Sequence, residues 1–266
     1  MKFNAFIVAA GLGTRLKPFT DTKPKALVPL SGKPMLEHQI CRLKAAGADH
    51  IVINVHHFGE QIIDFVRANN QFGIHIDISD ERDCLLDTGG GLRKACRFFT
   101  DGKPVLVHNV DIFSNASLEH LLAQHEETRA DASLLVSSRN TTRYLAFDGT
   151  GRLAGWTNVK THQAKSVEGR SFGQPGSNAR LLAFAGIHVV SPTLFDTLDG
   201  FGTIFSIIDF YLAAASRYDI RAAEPPAGFR LVDAGKPETL AQAEELLAQM
   251  ETDGAASRVS NNQIIR

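Results

Sequence analysis

The residues best equipped for chemistry stand near the amino end, where Gly11-Leu12-Gly13-Thr14-Arg15 follows the apolar run of residues 3–8. Two glycines one residue apart let the backbone take positive φ and bring N–H groups to a ligand with no Cβ in the way. A row of such amides with a guanidinium close behind is a concave anion site. Arg15 can fork onto phosphate oxygens, and Lys25 adds a compact point charge from the next loop. Two familiar glycine loops are excluded. The dinucleotide fingerprint needs a third glycine where this chain has Leu16, and the Gly-Lys-Ser/Thr phosphate loop fails because Gly32-Lys33 runs into Pro34.

Two carboxylates have the placement of metal ligands. Asp111 follows the buried run Val105-Leu106-Val107-His108, and Asp233 follows Phe229 to Val232, so each sits at the carboxyl end of an expected strand. Ligands of open α/β sheets bind at that edge. Two such carboxylates can hold Mg²⁺, which takes one or two carboxylates together with substrate phosphates. Singly, each Asp equally suits a strand-end turn or a helix cap. The segment Leu86-Asp87-Thr88-Gly89-Gly90-Gly91 places three glycines before an expected helix, which admits a flat ligand or a phosphate, or simply makes a tight turn. His56-His57 has no Glu or Cys at ligand spacing and reads as loop residues or donors to a substrate.

The run Ala-Ala-Gly-x-Gly-Thr-Arg-Leu-x-Pro-Phe-Thr from Ala9, with Pro-Lys-Ala-Leu-Val-Pro from Pro24, resembles the signature of sugar-1-phosphate nucleotidyltransferases over about the first 36 residues. The resemblance implies that a sugar 1-phosphate attacks the α-phosphorus of an NTP and expels pyrophosphate. Arg15 and Lys25 would be catalytic. Ala10, Gly11, Gly13, Thr14, Arg15, Lys25, Glu81, Thr88 and Gly89 would bind the nucleotide, the last three near the base. Asp111 and Asp233 would hold Mg²⁺, and Asn109, Asn158 and Gly186 would meet the sugar. Two departures stand out: Asn109-Val110-Asp111 replaces the family's Gly-Asp, and its Glu-Lys-Pro is absent from Gly155 to Lys160, where Asn158 or Lys160 offers a substitute. Among short members, the chain looks most like uridylyltransferases acting on N-acetylmuramate 1-phosphate and like mannose-1-phosphate guanylyltransferases. UMP is the favoured group and GMP the other. A choline-phosphate cytidylyltransferase-like enzyme and a non-catalytic nucleotide-binding regulatory subunit are the remaining readings.

The elements that must carry these residues follow from periodicity. Apolar strand-like runs at 3–8, 51–55, 74–78, 105–107 and 133–136 alternate with helical patterns at 35–46, 61–68, beyond Gly91 and at 118–125. This predicts the α/β class: a Rossmann-like three-layer α/β/α domain with a mixed, mainly parallel sheet. Residues 1–137 would form a nucleotide-binding half and 138–235 a sugar-binding half. In the second half, a hairpin is expected across Asp148-Gly149-Thr150-Gly151, a mobile loop over 160–179, and strands at 181–190, before Pro225 and at 230–233. A helix over 205–216 and a last one over 237–251 complete the set, with 252–266 a polar tail. The net charge of −1 gives no general attraction for nucleic acid or an anionic membrane, so anion binding must be local. Three scattered cysteines and the lack of a leader or spanning stretch point to the cytoplasm.

Overall fold

The computed structural model describes residues 2–170, 172 and 178–264, with 254–264 as backbone alone. The first strand, β1 (Phe3–Val8), is flanked on both edges by parallel neighbours and its residues are almost wholly buried. That is why it reads as an unbroken apolar run rather than an alternating one. A small hairpin of β2 (Pro29–Leu30) and β3 (Lys33–Pro34) then leads into α1 (Met35–Ala45), which buries Leu36, Ile40 and Leu43 and ends before Gly47. There follow β4 (Ala48–Val55), α2 (Gly59–Ala68), β5 (His75–Asp80), α3 (Asp87–Ala95), β6 (Val105–Asn109) and the short β7 (Ile112–Ser114). Next, α4 (Leu118–Thr128) is capped by the Ser117 hydroxyl, which accepts the His120 N–H at 3.0 Å.

The second half contributes β8 (Ala132–Ser137), β9 (Arg143–Phe147), β10 (Leu153–Asn158), β11 (Gln163–Ser166) and the long β12 (Arg180–Val190). It closes with α5 (Phe195–Leu198), α6 (Ile207–Ala214), β13 (Ile220–Ala223), β14 (Leu231–Asp233) and α7 (Pro237–Ile264). Ten strands form one sheet along the path β11-β10-β9-β12-β6-β1-β4-β5, with β8 paired to β12 and β13 to β8. The β6-β1-β4-β5 block is parallel, and β12 enters antiparallel to β6, giving a mixed sheet with apolar clusters packed on its two sides. Because β12 is antiparallel to both β6 and β8, the carboxyl ends of β6, β8 and β13 lie along one edge.

Three local expectations are revised. The glycines of 89–91 lie inside α3 rather than ahead of it. The stretch from 160, expected as a mobile loop, contains β11 paired with β10, while 171 and 173–177 of that loop lie outside the described residues. The backbone of α7 continues through the expected tail to Ile264, since no proline follows Pro237 to stop it.

Candidate active site

The glycine loop is positioned from below by a buried polar side chain. Asn54, in the apolar strand β4, is 1% exposed, and its Oδ1 accepts the N–H of Ala9 at 2.6 Å and of Ala10 at 3.2 Å. Its amide donates to Glu81 Oε1 at 2.8 Å, and Glu81 Oε2 accepts the Leu86 N–H at 3.4 Å. Burial raises the Glu81 carboxyl above the usual range, against the opposing hydrogen bonds from Asn54 and Leu86. Gly91 makes this cluster possible, since a Cβ there would lie 2.9 Å from Glu81 Oε1 and 3.0 Å from Asn54 Nδ2.

Among the described residues, no protein acceptor takes the N–H of Gly11, Leu12, Gly13 or Thr14. Gly13 has φ +66, and the Thr20 hydroxyl donates to its carbonyl at 2.9 Å. A side chain at Gly13 would be strained by that φ and would meet Thr20 Cγ2 at 2.9 Å. Leu12, Gly13 and Thr14, with Arg15, Lys25, Leu85 and Gly235, line a hollow of about 280 Å³. A second hollow of about 360 Å³ adjoins it, lined by Val8, Ala10, Gly11, Asn54, Glu81, Thr88 and Ile204 among others. Leu85 is shared between the two.

The charged groups converge at Gly235. A Cβ there would lie 2.7 Å from Asp233 Oδ1, 2.8 Å from Arg15 Nη2 and 2.9 Å from Asp111 Oδ2. The chain brings the two carboxylates together through backbone pairing: β14 is antiparallel to β7, and the Ala234 N–H donates to the Asp111 carbonyl at 2.8 Å. Lys25 Nζ stands 2.8 Å from Asp111 Oδ2, and Arg15 Nη1 is 3.5 Å from Asp233 Oδ2. Burial alone would raise the Asp111 carboxyl, but the Lys25 charge and hydrogen bond hold it below the usual range. Two carboxylates, Asp111 from the link between β6 and β7 and Asp233 from the end of β14, meet at a position without a side chain and form a hard oxygen donor set of the kind Mg²⁺ takes.

The sugar-side expectations divide. Gly186, with φ +73, packs against Asn109, whose Nδ2 would lie 2.8 Å from a Cβ at that position. Asn158 is instead occupied locally. Its Oδ1 accepts the N–H of Lys160 at 3.0 Å and of Thr161 at 3.3 Å, which holds the turn between β10 and β11.

The base-side residues also have protein partners. The Gly89 N–H donates to the Phe205 carbonyl at 2.9 Å, and Cβ atoms at Gly89 and Gly90 would overlap the Phe205 ring and the Thr203 carbonyl oxygen. Thr88 Oγ1 accepts the Ile207 N–H at 3.0 Å. The amide of Ala10 is spent on Asn54, so Ala10 meets the hollow with its other surfaces. Sequence reasoning missed Asn54 and Ile204. An asparagine inside Ile51-Val52-Ile53-Asn54-Val55 was the available signal for the first, whereas Ile204, 61% exposed beside Thr88, had none.

A family model described as "Nucleotidyl transferase" matches residues 4–151. The N-acetylmuramate alpha-1-phosphate uridylyltransferase of Caulobacter vibrioides is 32% identical over 251 residues, covering 92% of this chain and 97% of that one. A probable mannose-1-phosphate guanylyltransferase 2 of Arabidopsis thaliana is 37% identical over 139 residues, which are 50% of this chain and 38% of that one. Among solved structures, a putative glucose-1-phosphate thymidylyltransferase from Bacillus anthracis superposes with a TM-score of 0.72 at 19% identity, covering 92% of this chain and 94% of the other. Among the described residues, no helix is long and apolar enough to cross a membrane.

Proposed function

The chain belongs to the nucleotidyl transferase family as a sugar-1-phosphate nucleotidyltransferase, and within it we propose uridylyl transfer from UTP to N-acetylmuramate 1-phosphate. The observation that carries this reading is the extent of the match. Similarity to the uridylyltransferase runs through both halves, including the sugar side, whereas similarity to the guanylyltransferase covers half of this chain. With this acceptor the reaction belongs to cell-envelope nucleotide-sugar metabolism. A cytoplasmic setting fits, since Cys41, Cys84 and Cys96 are all free thiols.

The nucleophile is an oxygen of the sugar 1-phosphate. Its second pKa is about 6, so it is ionised near neutral pH without a strong general base. It forms a bond to the α-phosphorus as the bond to the bridging oxygen of pyrophosphate breaks, and the electron pair leaves with pyrophosphate. The obstacle is the approach of one polyanion to another, which positioning and fixed charge overcome. The amides of Gly11 to Thr14, which no protein acceptor takes among the described residues, and the Arg15 guanidinium take the β- and γ-phosphates. Lys25 sits between the loop and Asp111 and meets the α-phosphate. Asp111 and Asp233 would hold Mg²⁺, which supplies neutralising charge between the two phosphate groups when bound. The convergence of Arg15, Lys25, Asp111 and Asp233 favours a working enzyme over a regulatory subunit.

The test is pyrophosphate release with Mg²⁺ from UTP, GTP, CTP and dTTP, each against the 1-phosphates of N-acetylmuramate, mannose and glucose, and against phosphocholine. UTP with N-acetylmuramate 1-phosphate should be the most productive pair. A clear preference for GTP with mannose 1-phosphate, or for CTP with phosphocholine, would overturn it.

A further inference from the structure

The sheet edge that carries the carboxylates continues past β12 into a third and larger hollow, of about 650 Å³. One wall is the end of β8 with the loop after it, and the other is the connection from β13 to β14. Its charged lining residues are Arg139, Glu224 and Arg230. Glu224 is already satisfied, because Arg180 donates to both of its oxygens at 2.7 Å, and these bonds hold its carboxyl below the usual range. The two arginines are held differently. Arg139 donates through Nη2 to the Phe184 carbonyl at 3.1 Å, and Arg230 donates to the Gln249 side chain. Among the described residues neither guanidinium has a carboxylate partner. The hollow is therefore cationic, with guanidinium donors that no protein carboxylate takes among the described residues.

Its position ties it to the reaction. Phe184, whose carbonyl anchors Arg139, precedes Gly186 by two residues on β12, and Gly186 packs against Asn109. On the opposite wall Val232 precedes Asp233 directly.

We propose that Arg139 and Arg230 bind a carboxylate carried by the sugar ring, so that this pair selects an acidic sugar 1-phosphate. The inference rests on the N-acetylmuramate reading. That sugar differs from N-acetylglucosamine by a lactyl ether on C3, whose carboxylate is its one formal charge away from the phosphate. A planar guanidinium fork matches a carboxylate with two parallel bonds, and this gives direction as well as charge. Recognition through this substituent also accounts for a sugar site that functions without the Glu-Lys-Pro segment.

The experiment compares N-acetylmuramate 1-phosphate, its lactyl carboxamide and N-acetylglucosamine 1-phosphate, all with UTP and Mg²⁺, in the wild type and in Arg139→Ala, Arg230→Ala and the double variant. The wild type should favour the acid over both neutral sugars. The double variant should lower the ratio of kcat/KM for acid over N-acetylglucosamine by about 10- to 100-fold, chiefly through KM, with UTP binding retained. The carboxamide makes the same test without altering the protein. An equal rate for acid and carboxamide in the wild type, or an unchanged ratio in the double variant, overturns the inference while the uridylyl reading stands. Failure to use N-acetylmuramate 1-phosphate while another sugar 1-phosphate is turned over removes the underlying reading and the inference with it.

Discussion

Two glycine-rich segments lie at the hollow lined by Gly11 and Thr88, and they serve opposite purposes. At Gly11 the missing side chain leaves open space, a Cβ there meeting nothing closer than Lys25 Nζ at 3.7 Å, whereas at Gly13 it is the positive φ and the nearby Thr20 that call for glycine. At Gly89, Gly90 and Gly91 the vacated space is filled by the protein itself, by Phe205, by the Thr203 carbonyl and by the Glu81–Asn54 pair. The first segment is open for a ligand, and the second is closed by a long-range contact. The same residue type thus marks a binding surface in one place and a packing seam in the other. What distinguishes them is which atoms approach, and that is set by chain segments far away in sequence.

Substitutions can break this contrast, and the largest effect belongs to the open side. Lys25→Ala should lower kcat by roughly 10³-fold with little change in Tm, measured by pyrophosphate release and thermal unfolding, because it removes a fixed charge at the reacting phosphates. Gly90→Ala should act in the reverse manner. Its methyl collides with the Thr203 backbone, so unfolding in urea should show a loss of about 3 kcal/mol. Activity per folded molecule should fall far less than in Lys25→Ala. Asn54→Ala sits between the two sides, since it strands two loop amides and one buried carboxylate oxygen. A loss of about 2 kcal/mol together with a raised KM for UTP is expected. Gly11→Ala should leave stability within about 0.5 kcal/mol and raise KM for UTP, because the space is free until the nucleotide arrives.

The smallest effect is one of pH. The folded-state pKa of Glu81 is raised above the ordinary 4.5 by burial. The folded protein therefore binds that proton more tightly than the unfolded chain does. The resulting stabilisation is fully present below the unfolded value and is lost as pH rises through the folded one. A Tm profile from pH 4 upward should lose this component in Glu81→Gln, and an unchanged slope would show that the Glu81 proton contributes nothing to the pH dependence of stability.

The legibility of the site in the sequence follows the same division. The loop from Ala9 to Arg15 is a local signature, and its direction comes from the strand immediately before it. Asp111 and Asp233 were legible as strand-end carboxylates, although their meeting depends on β14 pairing with β7, which no periodicity announces. Asn109 and Gly186, expected separately to meet the sugar, pack against each other, a contact that pairing of β12 with β6 creates. The use of Gly89 by Phe205 could not be read, because it joins segments over a hundred residues apart. Asn158 has a side chain suited to a sugar hydroxyl, but the tight turn to β11 claims its oxygen first. The alternation of strands and helices gave the sheet class, while β11 was hidden in a polar stretch that lacks the apolar pattern of a half-buried strand.

The contact of the Thr203–Phe205 segment with α3 also bears on how such chains can be recombined. The stretch 4–151 looks like a transferable module when judged by the family model alone. Yet one face of its glycine helix is completed by residues beyond 200, including two backbone hydrogen bonds from Gly89 and Gly90 to the Phe205 carbonyl. A chimera that joins this first half to the second half of a relative inherits a seam whose two sides were fitted separately. Swaps should succeed when residues 203–205 travel with Gly89 and Gly90. They should yield insoluble or inactive protein when the breakpoint separates them. The natural unit of exchange is therefore a discontinuous pair of segments, defined by a contact rather than by a stretch of sequence.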